Sequence, residues 1–176
     1  MYVLTAALVS AGCCASDGLR AEPDWRGRLD ASLRLYGHRN WIAVVDAAYP
    51  AQTKPGVETI VTGANQLEVV SAVLAGLDAA GHVRPAVFVD QELAQGPESD
   101  APGIAAYRSE LNALLGTRSV ARLPHEVVIR TLDEAAAAMR VLVLKTDLAL
   151  PYTSVFFRLE CGYWTDEAER RLRAAK

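Results

Sequence analysis

Few residues of this chain can carry chemistry on their own. Among 176 residues there are three cysteines and three histidines. Cys13 and Cys14 are neighbours and Cys161 stands far away, so no Cys-x-x-Cys metal knuckle is present. His38, His82 and His125 share no short ligand spacing. No metal site is expected from this set, and disulfide staples are not needed at this length. Aromatic residues make up 7%, too few for a base-stacking platform. No block of Lys and Arg stands out and the net charge is -3, which argues against a nucleic-acid groove or an anionic membrane surface. The phosphate-binding patterns GxGxxG and GxxxxGK[ST] are missing, and so is the GxSxG nucleophile elbow. Neither Ser71 nor Ser154 has the local setting of a nucleophile. Repeats and low-complexity tracts are also lacking. These absences leave a cofactor-free domain with scattered polar groups.

The composition is 51% apolar and 22% charged, as in a soluble globular protein. The opening "MYVLTAALVSAGCCASDG" is apolar and rich in small residues, yet too short to span a bilayer as a helix. It resembles an export signal, with Cys13 placed as a lipid acceptor, but no Lys or Arg precedes the apolar run. A cytoplasmic protein is therefore expected, with export or lipid anchoring through Cys13 as the alternative. Three segments follow: a lead-in or signal over 1–27, a domain over 28–164, and a charged tail over 165–176.

Within the domain, "WRGRLDASLRLYGH" suits a short amphipathic helix ended by Gly37. "WIAVVDA" and "VETIVTG" read as strands. "NQLEVVSAVLAGLDAAG" has a helical period with Asn65 as its cap. "RPAVFVDQEL" is a third strand, "AQGPESDAPG" a loop and "IAAYRSELNALLG" a helix. "HEVVIR" reads as a fourth strand. "TLDEAAAAMR" follows as a helix, with Thr131 and Glu134 spaced as a capping box. "VLVLKTD" and "SVFFRLECGYW" complete six strands. This alternation predicts an α/β class fold, a three-layer α/β/α sandwich with a largely parallel central sheet. Ligands in such sheets sit at the carboxyl ends of strands. Asp46, Asp90, Glu92, Arg130, Thr146 and Asp147 all fall at or just past predicted strand ends. Bland readings stand beside these: His38 capping a helix, Asp46 stopping a strand, His125 and His82 as loop or helix-end residues.

Two segments resemble the ribose pyranase and fucose mutarotase family. The first is "LYGHRNWIAVVDAAYPAQ": Gly37-His38, an apolar strand, Asp46-Ala47, then Pro50. The second is "VLVLKTDLALPYTSVFFRLECG": Thr146-Asp147, then Tyr152 and Ser154 before another apolar strand. The resemblance runs from about Arg28 to Gly162. It implies interconversion of monosaccharide anomers or ring forms without a cofactor, and a pentameric ring or decamer with its pocket at a subunit boundary. It also implies His38 as acid–base group, Asp46 as its partner or a hydroxyl clamp, and Tyr152 and Ser154 lining the pocket from a neighbouring subunit. Arg130 and Glu92 are further substrate-binding candidates. Arg130 matches the fucose-type branch. Ser154 replaces the family's usual Asn, and Ala48 replaces that branch's second His. A ring-shaped oligomer that binds a monosaccharide without catalysis is the alternative.

Overall fold

The computed structural model describes residues 23–175. The apolar N-terminal stretch with Cys13 and Cys14 lies outside the described residues. The elements in chain order are α1 (Trp25–Leu35), β1 (Trp41–Val45), β2 (Val57–Val61), α2 (Gln66–Ala79), β3 (Val83–Asp90), a 3-10 turn (Gln91–Ala94), α3 (Ile104–Leu115), β4 (Val120–Leu123), α4 (His125–Ala135), β5 (Val141–Lys145), β6 (Val155–Cys161) and α5 (Asp166–Ala174).

Helix starts follow local capping chemistry. The Asp24 carboxylate accepts the Gly27 N–H at 3.2 Å, and Asn65 accepts the Leu67 N–H at 2.9 Å. Glu98 reaches from the preceding loop to accept the Ala105 N–H at 3.1 Å, so the polar loop is tied to the start of α3. Buried residues on α1 recur at Trp25, Leu29 and Leu33, and on α2 at Val69, Val70, Val73, Leu74 and Leu77. These are the one-sided stripes of helices lying on a sheet.

The sheet order is β2-β5-β1-β6-β3-β4. β1, β2 and β5 run parallel, and β3 runs parallel to β4. β6 is antiparallel to both β1 and β3, so it is the one reversed strand of the six. Helices α1, α2 and α3 pack on one face, and α4 covers Trp41, Ala43, Val45 and Phe156 on the other. The three-layer expectation holds. All five residues of β1 are buried, as are Phe156 and Phe157 on β6, each at 0% exposure. Removing such a ring costs about 3–5 kcal/mol.

Two sequence expectations fail together. "HEVVIR" is the first turns of α4 rather than a strand, and the fourth strand is the preceding "VARL". Val128 and Leu132, four residues apart, point at the core, a helical spacing that outweighs the β-branched run Val127-Val128-Ile129. Glu92 accepts the His125 N–H and so caps the helix start. Thr131 and Glu134 form no capping box, because Thr131 sits mid-helix with its hydroxyl on the Val127 carbonyl at 2.8 Å.

Candidate functional site

Because five strands run one way and β6 the other, the carboxyl ends of β1 to β5 and the start of β6 share one edge. The sequence places its polar residues there. Gln66, 1% exposed, is the centre. Its Nε2 donates to the Tyr107 hydroxyl at 2.9 Å and to the Thr153 carbonyl. The Thr146 hydroxyl lies 2.9 Å from the Val45 carbonyl and 3.0 Å from Gln66 Oε1, and shares its proton between them. The Tyr107 hydroxyl donates to the Thr153 carbonyl at 2.7 Å. Burial pushes the Tyr107 phenol well above its ordinary range, so it stays a donor. This knot pins the turn before β6 to the ends of β1 and β5.

The backbone of that turn is strained at one residue. Tyr152 adopts φ of 57°, a left-handed conformation that costs a non-glycine residue about 1–3 kcal/mol. The bonds to Thr153 hold it there, and the Thr153 hydroxyl closes the turn on the Leu150 carbonyl at 2.9 Å. The Tyr152 ring, half exposed, meets His125 edge to face, with centroids 5.5 Å apart and planes at 80°. His125 Nδ1 in turn lies 3.2 Å from Asp90 Oδ2. Asp90 is fully buried at the end of β3. Burial pushes its carboxyl up to about 6, against the pull of His125, with Glu92 and Asp46 adding to the rise.

Asp46 lies at the same edge, at the end of β1. Its carboxylate accepts the Ala48 N–H at 2.8 Å, so the turn-forming reading is correct for one oxygen. Tyr49 follows, buried, with its phenol pushed up to about 12 by burial and its hydroxyl accepting from Gln52 at 3.1 Å. Ser154 is 1% exposed and its hydroxyl has no hydrogen-bond partner among the described residues.

The other predictions fare differently. His38 lies at the opposite edge of the sheet, ahead of β1. Seven residues lie between it and Asp46, five of them in β1, and extended backbone at ~3.3 Å per residue sets the two on the order of 20 Å apart. A His38–Asp46 pair within one chain is thereby excluded. His38 instead lines a cleft of about 640 Å³ together with Arg39, Arg84, Arg158, Glu160 and Trp164. Arg130 is on the exposed surface of α4 rather than at a strand end. Glu92 is occupied by the His125 backbone N–H, at 3.2 and 3.1 Å from its two oxygens. His125 and Asp90 are the residues that sequence reasoning undervalued. The available signal was Asp90 closing an apolar strand and His125 following Pro124 at a helix start.

The structure is similar to that of Bacillus subtilis RbsD complexed with D-ribose. The TM-score is 0.55 at 15% identity, over 83% of this chain and 99% of that one. A candidate sugar-binding protein is similar with a TM-score of 0.50 at 19% identity, over 81% and 95% of the two chains. The fucose mutarotase of Streptococcus pneumoniae in complex with L-fucose gives 0.49 at 16% identity, over 73% and 87%. No protein-family model and no curated protein matches the sequence. The fold is that of RbsD, over nearly the whole of that protein. No helix among the described residues is long and apolar enough to cross a membrane.

Proposed function

We propose that the protein interconverts the anomers or ring forms of a free monosaccharide by cofactor-free acid–base ring opening. The observation that supports this best is the meeting of His125, Asp90 and Tyr152 at the carboxyl edge of an RbsD-like sheet, with Asp46 and Ser154 at the same edge. Ring opening needs a base to take the anomeric hydroxyl proton and an acid to protonate the ring oxygen. The O1–H pair becomes the C1=O bond, the C1–O5 pair goes to O5, and O5 takes the second proton. Reclosure on the other face gives the other anomer, and reclosure through a different hydroxyl gives the other ring size. Imidazoles suit both proton transfers near neutral pH. Tyr152 covers one sugar face and offers its hydroxyl. Asp46 holds a sugar hydroxyl, and Ser154 lies buried behind Tyr152 at the same edge. The left-over carboxylates and Arg130 are not needed for this scheme.

His38 joins this site only from a second subunit, whose amino edge would face the carboxyl edge of the first. That is a head-to-tail contact, the kind that forms a ring where its rotation closes, in keeping with the pentamer or decamer expected from the family resemblance. Saturation-transfer NMR of ribose, fucose and other free aldoses tests the activity. Faster exchange between anomers with protein present is expected. No acceleration for any aldose, with folded oligomer in the tube, sinks the proposal. Sugar binding without acceleration would favour a binding protein, a reading that draws on the separation of His38 from the rest of the cluster.

A further inference from the structure

We propose that Asp90 and His125 act as one unit, in which the buried carboxylate keeps the imidazole proton on Nδ1 and leaves Nε2 as the intrachain base of ring opening. This rests on the reading of the carboxyl edge as a sugar site. Asp90 is hard to explain as a structural residue. It is fully buried, and neither oxygen has a directed hydrogen bond among the described residues. A buried polar group left so costs free energy that an apolar residue at the end of β3 would not. His125 Nδ1, 3.2 Å away, is likewise buried and without a directed partner, off the line of an ideal bond. Two unsatisfied atoms therefore face each other, and a small rotation of the ring satisfies both. Catalytic hydrogen bonds commonly align only when substrate is bound.

The surroundings assign the roles. The His125 side chain is 31% exposed although its Nδ1 is buried, so the open part of the ring lies on the side away from Asp90. That is the side of Nε2. Charged and titratable neighbours of Asp90, besides His125, come from several elements. They are Glu92 of the 3-10 turn, Asp46 after β1, Tyr49 in the next loop, Tyr107 and Arg108 of α3, and Arg122 of β4. Glu92 and Asp46 are acids, and the tyrosines are held neutral. Arg108 is committed to the carbonyls of Leu93 and Ala94 at 2.9 and 2.8 Å. Among the described residues His125 is the one group of opposite character in ion-pair contact with Asp90. A carboxylate on Nδ1 fixes ring orientation and tautomer, and stabilises the imidazolium formed when Nε2 takes the anomeric proton. The proton moves from O1 to Nε2, and on reclosure it returns to the new hydroxyl, so Asp90 positions rather than transfers.

Imidazole 15N spectra of the full chain, with His125 assigned by His125→Gln, test the unit directly. The neutral ring is expected as the Nδ1–H tautomer, and Asp90→Asn is expected to redistribute it toward Nε2–H. Asp90→Asn should also lower the sugar exchange rate 10-fold or more at unchanged sugar affinity, with a changed pH profile. An Nε2–H tautomer in the unmodified protein overturns the proposal without any variant having to fold. So does exchange that is fast and indifferent to Asp90→Asn. If the tautomer and its shift are found but no aldose exchanges faster, the pairing stands and the sugar-isomerase reading fails.

Discussion

At the carboxyl edge of the sheet the polar side chains are buried, with Gln66, Tyr107 and Thr146 hydrogen-bonded to one another and Asp90 and Ser154 without a directed partner among the described residues, whereas at the amino edge they are exposed and paired as ions. Gln66, Thr146, Thr153 and Asp90 are at most 5% exposed. Arg84 and Arg158 lie 2.8 Å from the Glu160 carboxylate, and both arginine side chains are 44% exposed. Each edge also carries one non-glycine residue in the left-handed region, Tyr152 at φ 57° and Arg39 at φ 73°. Both are held by backbone contacts, Tyr152 through Thr153 and Arg39 through its N–H on the Leu159 carbonyl at 2.7 Å. Strained residues persist where surrounding structure over-determines them, often at functional positions. Here one lies against His125 and the other beside His38. On the proposed function these are two half-sites of unlike construction, one rigid and one open.

The largest effects should come from separating the halves. His38→Ala and His125→Ala are each expected to slow sugar exchange by about 10²–10⁴-fold, the usual weight of a positioned acid or base. Mixing the two variants decides whether the edges meet. Random head-to-tail assembly of equal amounts rebuilds roughly a quarter of the sites, each with His38 from one chain and His125 from the other. Activity returning to that level in mixed oligomers joins the two edges. Assembled mixtures that stay inactive would make the halves independent and remove His38 from the site.

A mid-sized effect isolates the rigid half. The Asp90 carboxyl ionises at about 6 in the folded protein, against 3.8 for an ordinary aspartate. The folded form thus binds this proton more tightly than the unfolded chain. Its contribution is most favourable below pH 4, declines as pH rises through the window from 4 to 6, and is constant above it. The whole decline is ~3 kcal/mol. Urea denaturation of the native protein and of Asp90→Asn across that range should show the gap between them shifting in favour of the variant as pH rises. A gap that does not change with pH would mean that Asp90 is not desolvated.

How far the sequence reaches follows from the same contrast. β1, β2, β3, β5 and β6 are legible because each is an apolar run between turn residues, and Asn65 is legible as a cap because its spacing is local. β4 is not, since an edge strand with exposed Ala121 and Arg122 carries little apolar signal. α4 is masked by three β-branched residues in a row. The site divides likewise. Asp46, Tyr152 and Ser154 could be placed at one edge by strand order and by the family resemblance. Asp90 and His125 are 35 residues apart in sequence and meet only because the end of β3 and the start of α4 lie side by side, which no local pattern encodes. Gln66 is not legible as a buried hydrogen-bond hub, because its partners come from α3, the residue after β5 and the turn before β6. His38 shows the reverse error: nearness to Asp46 in sequence reads as closeness, when the extended strand β1 between them makes it distance.

The smallest effect belongs to the open half. Arg84 joins β3 to Glu160 at 2.8 Å and to Asp166 at the start of α5 at 3.3 Å. None of α5 is buried, and its own ion pairs, Glu167–Arg171 at 2.6 Å and Glu169–Arg173 at 2.7 Å, are local. Exposed pairs of this kind exchange water for each other at little gain, so Arg84→Ala should cost less than about 1 kcal/mol of global stability. Added salt should shrink even that, because exposed charges are screened. The consequence should be local: faster amide exchange in α5, with β3 and β6 protected as before. A loss of several kcal/mol would show that α5 and the amino edge form a cooperative unit. The division into a rigid half and an open half would then have to be redrawn.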